Sequence, residues 1–423
     1  MPAQPAVPAP AAATARAAPA PAVDGHARHA RPAAAPDDPA FERLLPAEPV
    51  ACQLRLTPAA VKHGAILTGL AMLRRAGRIR LQVEWRPQDE RPGQEASSRH
   101  EASRPLAILE LEGGGSSVID LDDDPGLQAD ELARHDLYFK RCFHAESLLL
   151  PDGHKLRPLP LLEDVRTDFL HLDELRGELA AANSACAKAG ALARGVAQVV
   201  AARAGLGDRP NLSRMHAPPV TGQAQRVLAI WRLQDPEELP PEATGLRDAC
   251  AAANRSRVQC IRALRRAYGS RFHGGILPDA FAARFAPDVL LASARNATRC
   301  ELLRLTREHS VCVATSGPPG AGGLGIATFV AFSRAIVCEP LREIVAGDVQ
   351  PGSHYLEYQT PEQCVARVAW LFDRPRERDE MARRNWTYYS QWQSAERLAL
   401  RLVALTCAAG PRAVGMQRQS VPG

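Results

Sequence analysis

Short apolar segments alternate with amphipathic ones along two separate stretches of this chain. In the first stretch, residues 61–75 have apolar side chains at helical spacing, and residues 79–83 and 137–140 read as strands. Residues 106–111 and 118–121 flank three consecutive glycines and predict a hairpin. Alternation of strands and helices predicts an α/β fold built around a largely parallel sheet.

The second stretch repeats this alternation with longer helices. Helices are predicted over residues 246–268, 299–307 and 325–333, and again over 361–372 and 375–390. A second α/β domain follows from this pattern, and a cleft between two such domains is a natural ligand site. The predicted strands of this stretch are residues 227–231, 271–275 (ending in a glycine turn), 310–314, 335–338 and 354–358.

Composition excludes several classes of function. The net charge of +5, from 52 basic and 47 acidic residues, is too small for its length to indicate nucleic-acid binding. No run of about 18 apolar residues predicts a transmembrane helix. The ten cysteines form no C-x-x-C pair and are interpreted as small buried hydrophobes in a reducing cytoplasm, so no metal is predicted. Motifs of serine hydrolases, zinc peptidases and typical dehydrogenases are missing.

The glycine-rich segment 317–325 follows an apolar strand and opens a helix. Its glycines, Gly317, Gly320, Gly322 and Gly323, allow backbone amides to face an anion such as a diphosphate. The segment lacks the lysine and the Ser/Thr of a phosphate-binding loop, so ATP hydrolysis is not predicted. The alternative is a turn that binds no ligand.

Charged residues follow three of the predicted strands. Lys140 and Arg141 end one strand, where two cations can contact phosphate, although an ordinary solvated strand end is an alternative. Glu339 follows another strand and can accept hydrogen bonds from sugar hydroxyls. The alternative interpretation is that Glu339 is an acidic residue at the start of a helix. The four aspartates within residues 120–124 favour a turn over a divalent-cation site.

His273 lies beside Gly274 and Gly275, and the three residues form a further candidate for nucleotide contact. A base or a nucleotide-binding side chain is one interpretation of the histidine, and a structural role is the alternative. No catalytic residue follows from the sequence.

Seven segments, in their order along the chain, resemble bacterial glycosyltransferases of the GT-B type, which are glycosyltransferase-family-1-like proteins with exostosin-like relatives. Each segment is modestly specific alone, and the shared order over residues 53–390 carries the resemblance. The segments are 136–141 (DLYFKR), 155–159 (KLRPL), 271–275 (RFHGG), 333–341 (SRAIVCEPL), 355–358 (YLEY), 360–364 (TPEQC) and 385–389 (NWTYY).

The resemblance implies an α/β, GT-B-like fold, in which two Rossmann-like domains with parallel sheets face a central cleft. It implies a hexosyltransferase-like enzyme, needing neither metal nor cofactor, that moves a sugar from a nucleotide-sugar to a glycan or lipid-linked acceptor. The expected setting is surface polysaccharide biosynthesis in the bacterial cytoplasm, with peripheral contact at the inner face of the membrane left open. No nucleic-acid partner is expected.

The domain boundaries follow from these patterns. Residues 1–40 are rich in Ala and Pro and contain too few large apolar groups to offset chain ordering. The prediction is a disordered tail over 1–48, an N-terminal Rossmann-like acceptor-side domain over 49–206, a linker over 207–225, a C-terminal Rossmann-like nucleotide-sugar-binding domain over 226–392, a crossover helix over 393–410 and a flexible tail over 411–423.

One departure from the family pattern keeps two other functions open. Relatives tend to carry a histidine in the loop that corresponds to 317–323 and a glutamate where this chain has Thr328. The Glu-x7-Glu pattern of retaining enzymes is also missing, because Ala331 lies eight positions before Glu339. The alternatives are a catalytically weakened GT-B-like module that binds a glycan or a partner enzyme, and a nucleotide-binding regulator that uses the glycine-rich segment.

Overall fold

The computed structural model describes ten stretches of the chain, and strands and helices are numbered within them. The predicted tail residues 1–40 and 411–423 lie outside these stretches, as do Gly317, Gly320, Gly322 and Gly323. The described residues are 41–57, 64–85, 105–163, 165, 184–186, 188–190, 192–193, 212–292, 298–316 and 324–410.

The first sheet has six strands in the order β2-β1-β3-β4-β5-β6. Only β3 runs antiparallel to its neighbours, because a short glycine turn joins it to β4 as a hairpin. The other five strands are parallel, so their carboxyl ends lie at one edge. The strands are β1 (Val50–Leu56), β2 (Ile79–Trp85), β3 (Leu106–Leu111), β4 (Ser116–Asp120), β5 (Leu137–Lys140) and β6 (Leu156–Pro158).

The second sheet is parallel throughout, in the order β8-β7-β9-β10-β11. This order, 2-1-3-4-5 along the chain, is that of a doubly wound sheet with its switch point between β7 and β9. Two of its central strands, β9 and β10, are buried along their whole length, as parallel strands covered on both faces must be. The strands are β7 (Val227–Trp231), β8 (Phe272–Ile276), β9 (Val311–Ala314), β10 (Ala335–Cys338) and β11 (Leu356–Glu357).

Local signals set several helix ends. Gly77 follows the end of the first long helix by two residues, and its φ of +70° is the left-handed conformation expected just after a helix. Thr298 and Thr360 cap two later helices by accepting hydrogen bonds from Glu301 N and Gln363 N. The helices are α1 (Phe41–Leu44), α2 (Gly64–Arg75), α3 (Ala129–Arg134), α4 (Thr244–Tyr268), α5 (Ala280–Phe285), α6 (Arg299–Glu308), α7 (Leu324–Ala331), α8 (Pro361–Asp373), α9 (Pro375–Tyr388) and α10 (Ala395–Ala409).

Apolar side chains cover both faces of the second sheet. Helices α4 and α8 bury one face, and α6 and α7 bury the other. In the first sheet, α2 and the last helix, α10, together cover one face. A π-helical turn, Tyr389–Gln393, connects α9 on the second half to α10 on the first. The last helix is therefore part of the core of the first half.

The predicted α/β fold with two largely parallel sheets is confirmed, and three of its local predictions are wrong. Disorder does not extend to residue 48, because Phe41–Leu44 is helical and the Phe41 ring packs 6.1 Å from that of Trp392. Residues 271–275 do not end in a glycine turn, because the strand continues to Ile276. The strand over 354–358 is only Leu356–Glu357.

Two of the ten cysteines also depart from their predicted burial. Cys186 and Cys300 are exposed, Cys407 is half-buried, and the other seven are buried. Among the described helices, none combines the length and the apolarity needed to cross a bilayer.

Candidate functional site

Segments that follow the carboxyl ends of both sheets contact each other. After β5, the Phe143 carbonyl accepts a hydrogen bond from Ile344 N at 2.8 Å, and after β6 the Leu159 carbonyl accepts one from Ala346 N at 3.1 Å. Residues 344 and 346 belong to the segment that follows β10. We call residues 141–144 and 339–346 the inter-sheet junction. Ligands of open parallel sheets bind at this edge, so the junction is the candidate site.

Lys140 lies beneath the junction and is enclosed by protein. Its side chain is 1% exposed, and its ammonium donates hydrogen bonds to Asp120 Oδ2 at 3.0 Å and to the Asp122 carbonyl at 3.3 Å. The Tyr138 hydroxyl donates to the same carboxylate oxygen at 2.6 Å. This burial leaves Lys140 no exposed surface for a phosphate, so its predicted phosphate contact is not carried into the proposed function.

Arg141 is the next residue and reaches the junction. Its guanidinium forms an ion pair with Asp123 at 3.1 Å, and 15% of its side chain is exposed. Asp120 and Asp124 accept hydrogen bonds from backbone amides two residues ahead, at 2.9 Å and 2.6 Å. These bonds are typical of Asx turns, which is the favoured interpretation of the acidic residues. Within the described part of the chain, no three His, Cys, Asp or Glu side chains have metal-binding geometry.

Glu339 joins the ends of two neighbouring strands of the second sheet. Its Oε2 accepts hydrogen bonds from Ser316 N at 2.9 Å and from Ser316 Oγ at 3.1 Å. Ser316 follows β9, beside the switch point of the sheet. The side chain of Glu339 is half-buried, which leaves a carboxylate at the rim of the sheet, where a ligand hydroxyl could reach it.

Two functional candidates at the junction were missed by the sequence interpretation. Arg342 is exposed, and no described residue forms a hydrogen bond or ion pair with its side chain. Glu343 is half-buried, and burial raises the pKa of its carboxyl above the usual glutamate value. The sequence signal is the run of alternating charge directly after β10, at positions 339, 342 and 343.

Cys142 and His144 face Glu343 from the end of β5. The Cys142 sulfur lies 3.6 Å from His144 Nε2 and 3.9 Å from Glu343 Oε1. Burial raises the pKa of the Cys142 thiol to about 12, so it stays protonated at neutral pH. The junction therefore combines two guanidinium groups, two carboxyls and an imidazole.

His273 lies away from this edge, and close packing accounts for the two glycines that follow it. His273 is the second residue of β8, so it is near the amino end of the strand, and its ring is 5.7 Å from that of His309. A Cβ at Gly274 would lie 1.9 Å from the Ala229 carbonyl oxygen, and one at Gly275 would lie 2.7 Å from that of Val289. Close backbone approach therefore explains both glycines, without a ligand.

Thr328 is buried in α7 and binds protein groups rather than facing an open space. Its hydroxyl donates a hydrogen bond to Glu163 Oε1, and Arg299 Nη2 lies 2.8 Å from the same oxygen. Glu163 follows β6 of the first half, so this contact joins the two halves. The four glycines of the predicted anion loop cannot be related to the junction, because they lie outside the described residues.

No family profile and no curated protein matches the chain. Among solved structures, the C-terminal domain of a group 1 glycosyl transferase from Francisella tularensis is 10% identical, with 42% of this chain and 95% of that chain covered and a TM-score of 0.28.

Two longer structures give similar values. Anabaena HepE in complex with UDP is 10% identical over 83% of this chain and 77% of its own, with a TM-score of 0.34. A glycosyltransferase from Rickettsia africae is 8% identical over 67% and 68%, also with a TM-score of 0.34. The first and the third are named as glycosyltransferases, the class that the sequence resembles. TM-scores below 0.5 give this likeness no weight in assigning a function to the chain.

Proposed function

We propose that the protein is a glycosyltransferase that uses a nucleotide-sugar donor and binds its diphosphate at the inter-sheet junction. One observation carries this proposal: two largely parallel sheets meet through their carboxyl edges, and cations and carboxyls gather at the contact. Positive charge stabilises the negative charge that develops on a departing diphosphate, and Arg141 and Arg342 supply two guanidinium groups. Glu339 is suited to a hydroxyl of the sugar or ribose. We therefore propose a metal-independent hexosyl transfer.

The acceptor is proposed to be a glycan or a lipid-linked glycan of surface polysaccharide synthesis in the bacterial cytoplasm. An exposed apolar pair, Leu149 and Leu150, follows the junction in the first half and is 86% and 46% exposed. Exposed leucines beside a polar site suit the apolar part of a lipid-linked acceptor or the surface of a membrane.

Neutralising both junction arginines is the first test. We expect Arg141→Met with Arg342→Met to weaken binding of a nucleoside diphosphate roughly 10- to 100-fold, since charge-assisted hydrogen bonds to the diphosphate are lost. Isothermal titration calorimetry with a panel that includes UDP and GDP measures this change. A matched control removes the same charge from the exposed arginines Arg255 and Arg266 of α4.

Three outcomes separate the candidate functions. Binding that is lost in the junction variant and kept in the control supports the proposed site. Equal affinity in both variants contradicts it. The second candidate is a glycan- or partner-binding module without transfer, which is favoured by the internal hydrogen bond of Thr328 to Glu163. That module would bind no nucleoside diphosphate at all.

A further inference from the structure

Glu343 is held where the carboxyl ends of the two sheets meet. The backbone hydrogen bonds of Ile344 and Ala346 to the first half fix the segment on its C-terminal side. Its side chain is half-buried, and Oε1 lies 3.9 Å from the Cys142 sulfur. A carboxyl fixed between two ligand-binding edges can contact groups bound by either half.

The groups around Glu343 have opposing effects on the charge of its carboxyl. Burial disfavours the ionised carboxylate and is the largest influence on its pKa, which is raised. His144 and Arg141 favour the ionised form, whereas Asp123 disfavours it. A carboxyl in this balance can take up and release a proton closer to neutral pH than an exposed glutamate can. The other titratable groups that face Glu343 are the thiols of Cys142 and Cys338.

The neighbouring groups are less suited to proton transfer. Cys142 is 2% exposed, and its thiol stays protonated at neutral pH. Glu339 already accepts two hydrogen bonds from Ser316, which orient it along the edge of the second sheet. The guanidinium groups of Arg141 and Arg342 have hydrogen-bond donors and no acceptor, so they are unsuited to taking a proton from a hydroxyl. Glu343 and His144 are the remaining candidates at the junction.

We propose that Glu343 is the catalytic residue that accepts the proton of the acceptor hydroxyl, an inference that rests on the proposed glycosyl transfer. The hydroxyl oxygen forms a bond to the anomeric carbon while its proton moves to a Glu343 carboxylate oxygen. The bond from the anomeric carbon to the diphosphate breaks, and its electron pair leaves with the nucleoside diphosphate. This single displacement inverts the configuration at the anomeric carbon.

Glu343→Gln keeps the shape of the side chain and removes the proton acceptor. We expect it to lower kcat by about 100- to 10,000-fold, the range typical of general acid–base catalysis, while the donor Kd stays within about twofold. We expect wild-type kcat to rise with pH through the pKa of Glu343, which is raised above that of an ordinary glutamate. The glutamine variant is expected to lack this rise in its pH profile. Donor binding is measured by calorimetry on the full chain, and kcat by release of nucleoside diphosphate.

Two further variants serve as a conservative substitution and as a control. Glu343→Asp retains a carboxyl one methylene shorter, so an intermediate kcat and a preserved pH limb are expected. Glu362→Gln removes an exposed carboxyl in the first turn of α8 and is the matched control. Glu343→Gln is expected to fold. Partial burial disfavours the ionised carboxylate of Glu343 in the folded protein, and a neutral amide carries no such charge.

The outcomes distinguish this inference from the proposed function. If the wild-type protein binds no nucleotide-sugar, the proposed function is overturned and this inference with it. If the donor binds and Glu343→Gln transfers sugar at the wild-type rate, the inference alone is overturned. A large loss in His144→Gln, with no loss in Glu343→Gln, would assign the proton transfer to His144 instead. Retained configuration in the product would also overturn the single displacement.

Discussion

Replacing Lys140 with methionine is expected to lower the free energy of unfolding by about 4 kcal/mol, because it leaves a buried carboxylate without its cation. The side chains of Lys140 and Asp120 are 1% and 0% exposed, and their charged atoms are 3.0 Å apart. Methionine fills nearly the same volume, so the loss reports the charge rather than a cavity. The measurement is urea denaturation with the m-value checked for a change in the unfolded state.

A second substitution tests whether the charge pair is the cause. Asp120→Asn in the Lys140→Met background removes the stranded negative charge and is expected to recover part of the lost stability. Lys188→Met is the matched control, since Lys188 is exposed and its loss is expected to change stability by less than about 0.5 kcal/mol. If Lys140→Met keeps wild-type stability but weakens nucleotide binding, the ammonium serves the ligand and the structural role is wrong.

Gly69→Ala is expected to lower the free energy of unfolding by about 3 kcal/mol, since α2 and α10 touch backbone to backbone at this residue. A Cβ at Gly69 would lie 1.8 Å from the Ala395 carbonyl oxygen and 2.7 Å from the Ala399 Cβ. A methyl group therefore forces the last helix away from the core of the first half. Urea denaturation measures the loss of stability, and limited proteolysis of α10 reports its release.

Gly245→Ala is the matched control for this prediction. Gly245 also lies in a helix, but a Cβ there would meet no atom within 4 Å. Alanine is expected to stabilise that helix by about 0.5–1 kcal/mol, because it restricts the unfolded chain. Wild-type stability in Gly69→Ala would mean that the two helices do not pack at this residue.

The sequence predicts most of the second half because its signals are local. Strands β9 and β10 are continuous apolar runs, and helix starts such as Thr298 carry their own capping residues. Strand β1 was missed although it alternates between buried and half-buried residues, because Gln53 and Arg55 at its half-buried positions resemble a polar segment. Strand β1 pairs with both β2 and β3, so the partners that stabilise it are distant in sequence.

The glycines of residues 271–275 show why local signals misled. Glycine is typical of turns, but at Gly274 the requirement is close contact with the Ala229 carbonyl on the neighbouring strand. Lys140 is a similar case, since a lysine at a strand end is usually solvated, and only the fold reveals Asp120 beside it. At both positions, the pairing of strands determines which group lies beside the residue: Ala229 beside Gly274 and Asp120 beside Lys140.

The junction could be predicted only in part. Parallel sheets bind ligands at their carboxyl ends, and this rule predicts Arg141 and Glu339 as site residues from the sequence alone. Glu343 could not be found this way, because its environment depends on Cys142, which lies 201 residues earlier in the chain. Burial raises the pKa of this glutamate, and charged groups of the other half act on it in both directions.

Amide hydrogen exchange with and without a nucleoside diphosphate tests most directly whether the inter-sheet junction is the ligand site. We expect slower exchange on ligand addition in peptides covering residues 139–146 and 335–346, with smaller changes around His273. Ile344 and Ala346 are direct reporters, since their amides already bridge the two halves. Protection confined to β8 and its neighbours, with none at the junction, would contradict the claim.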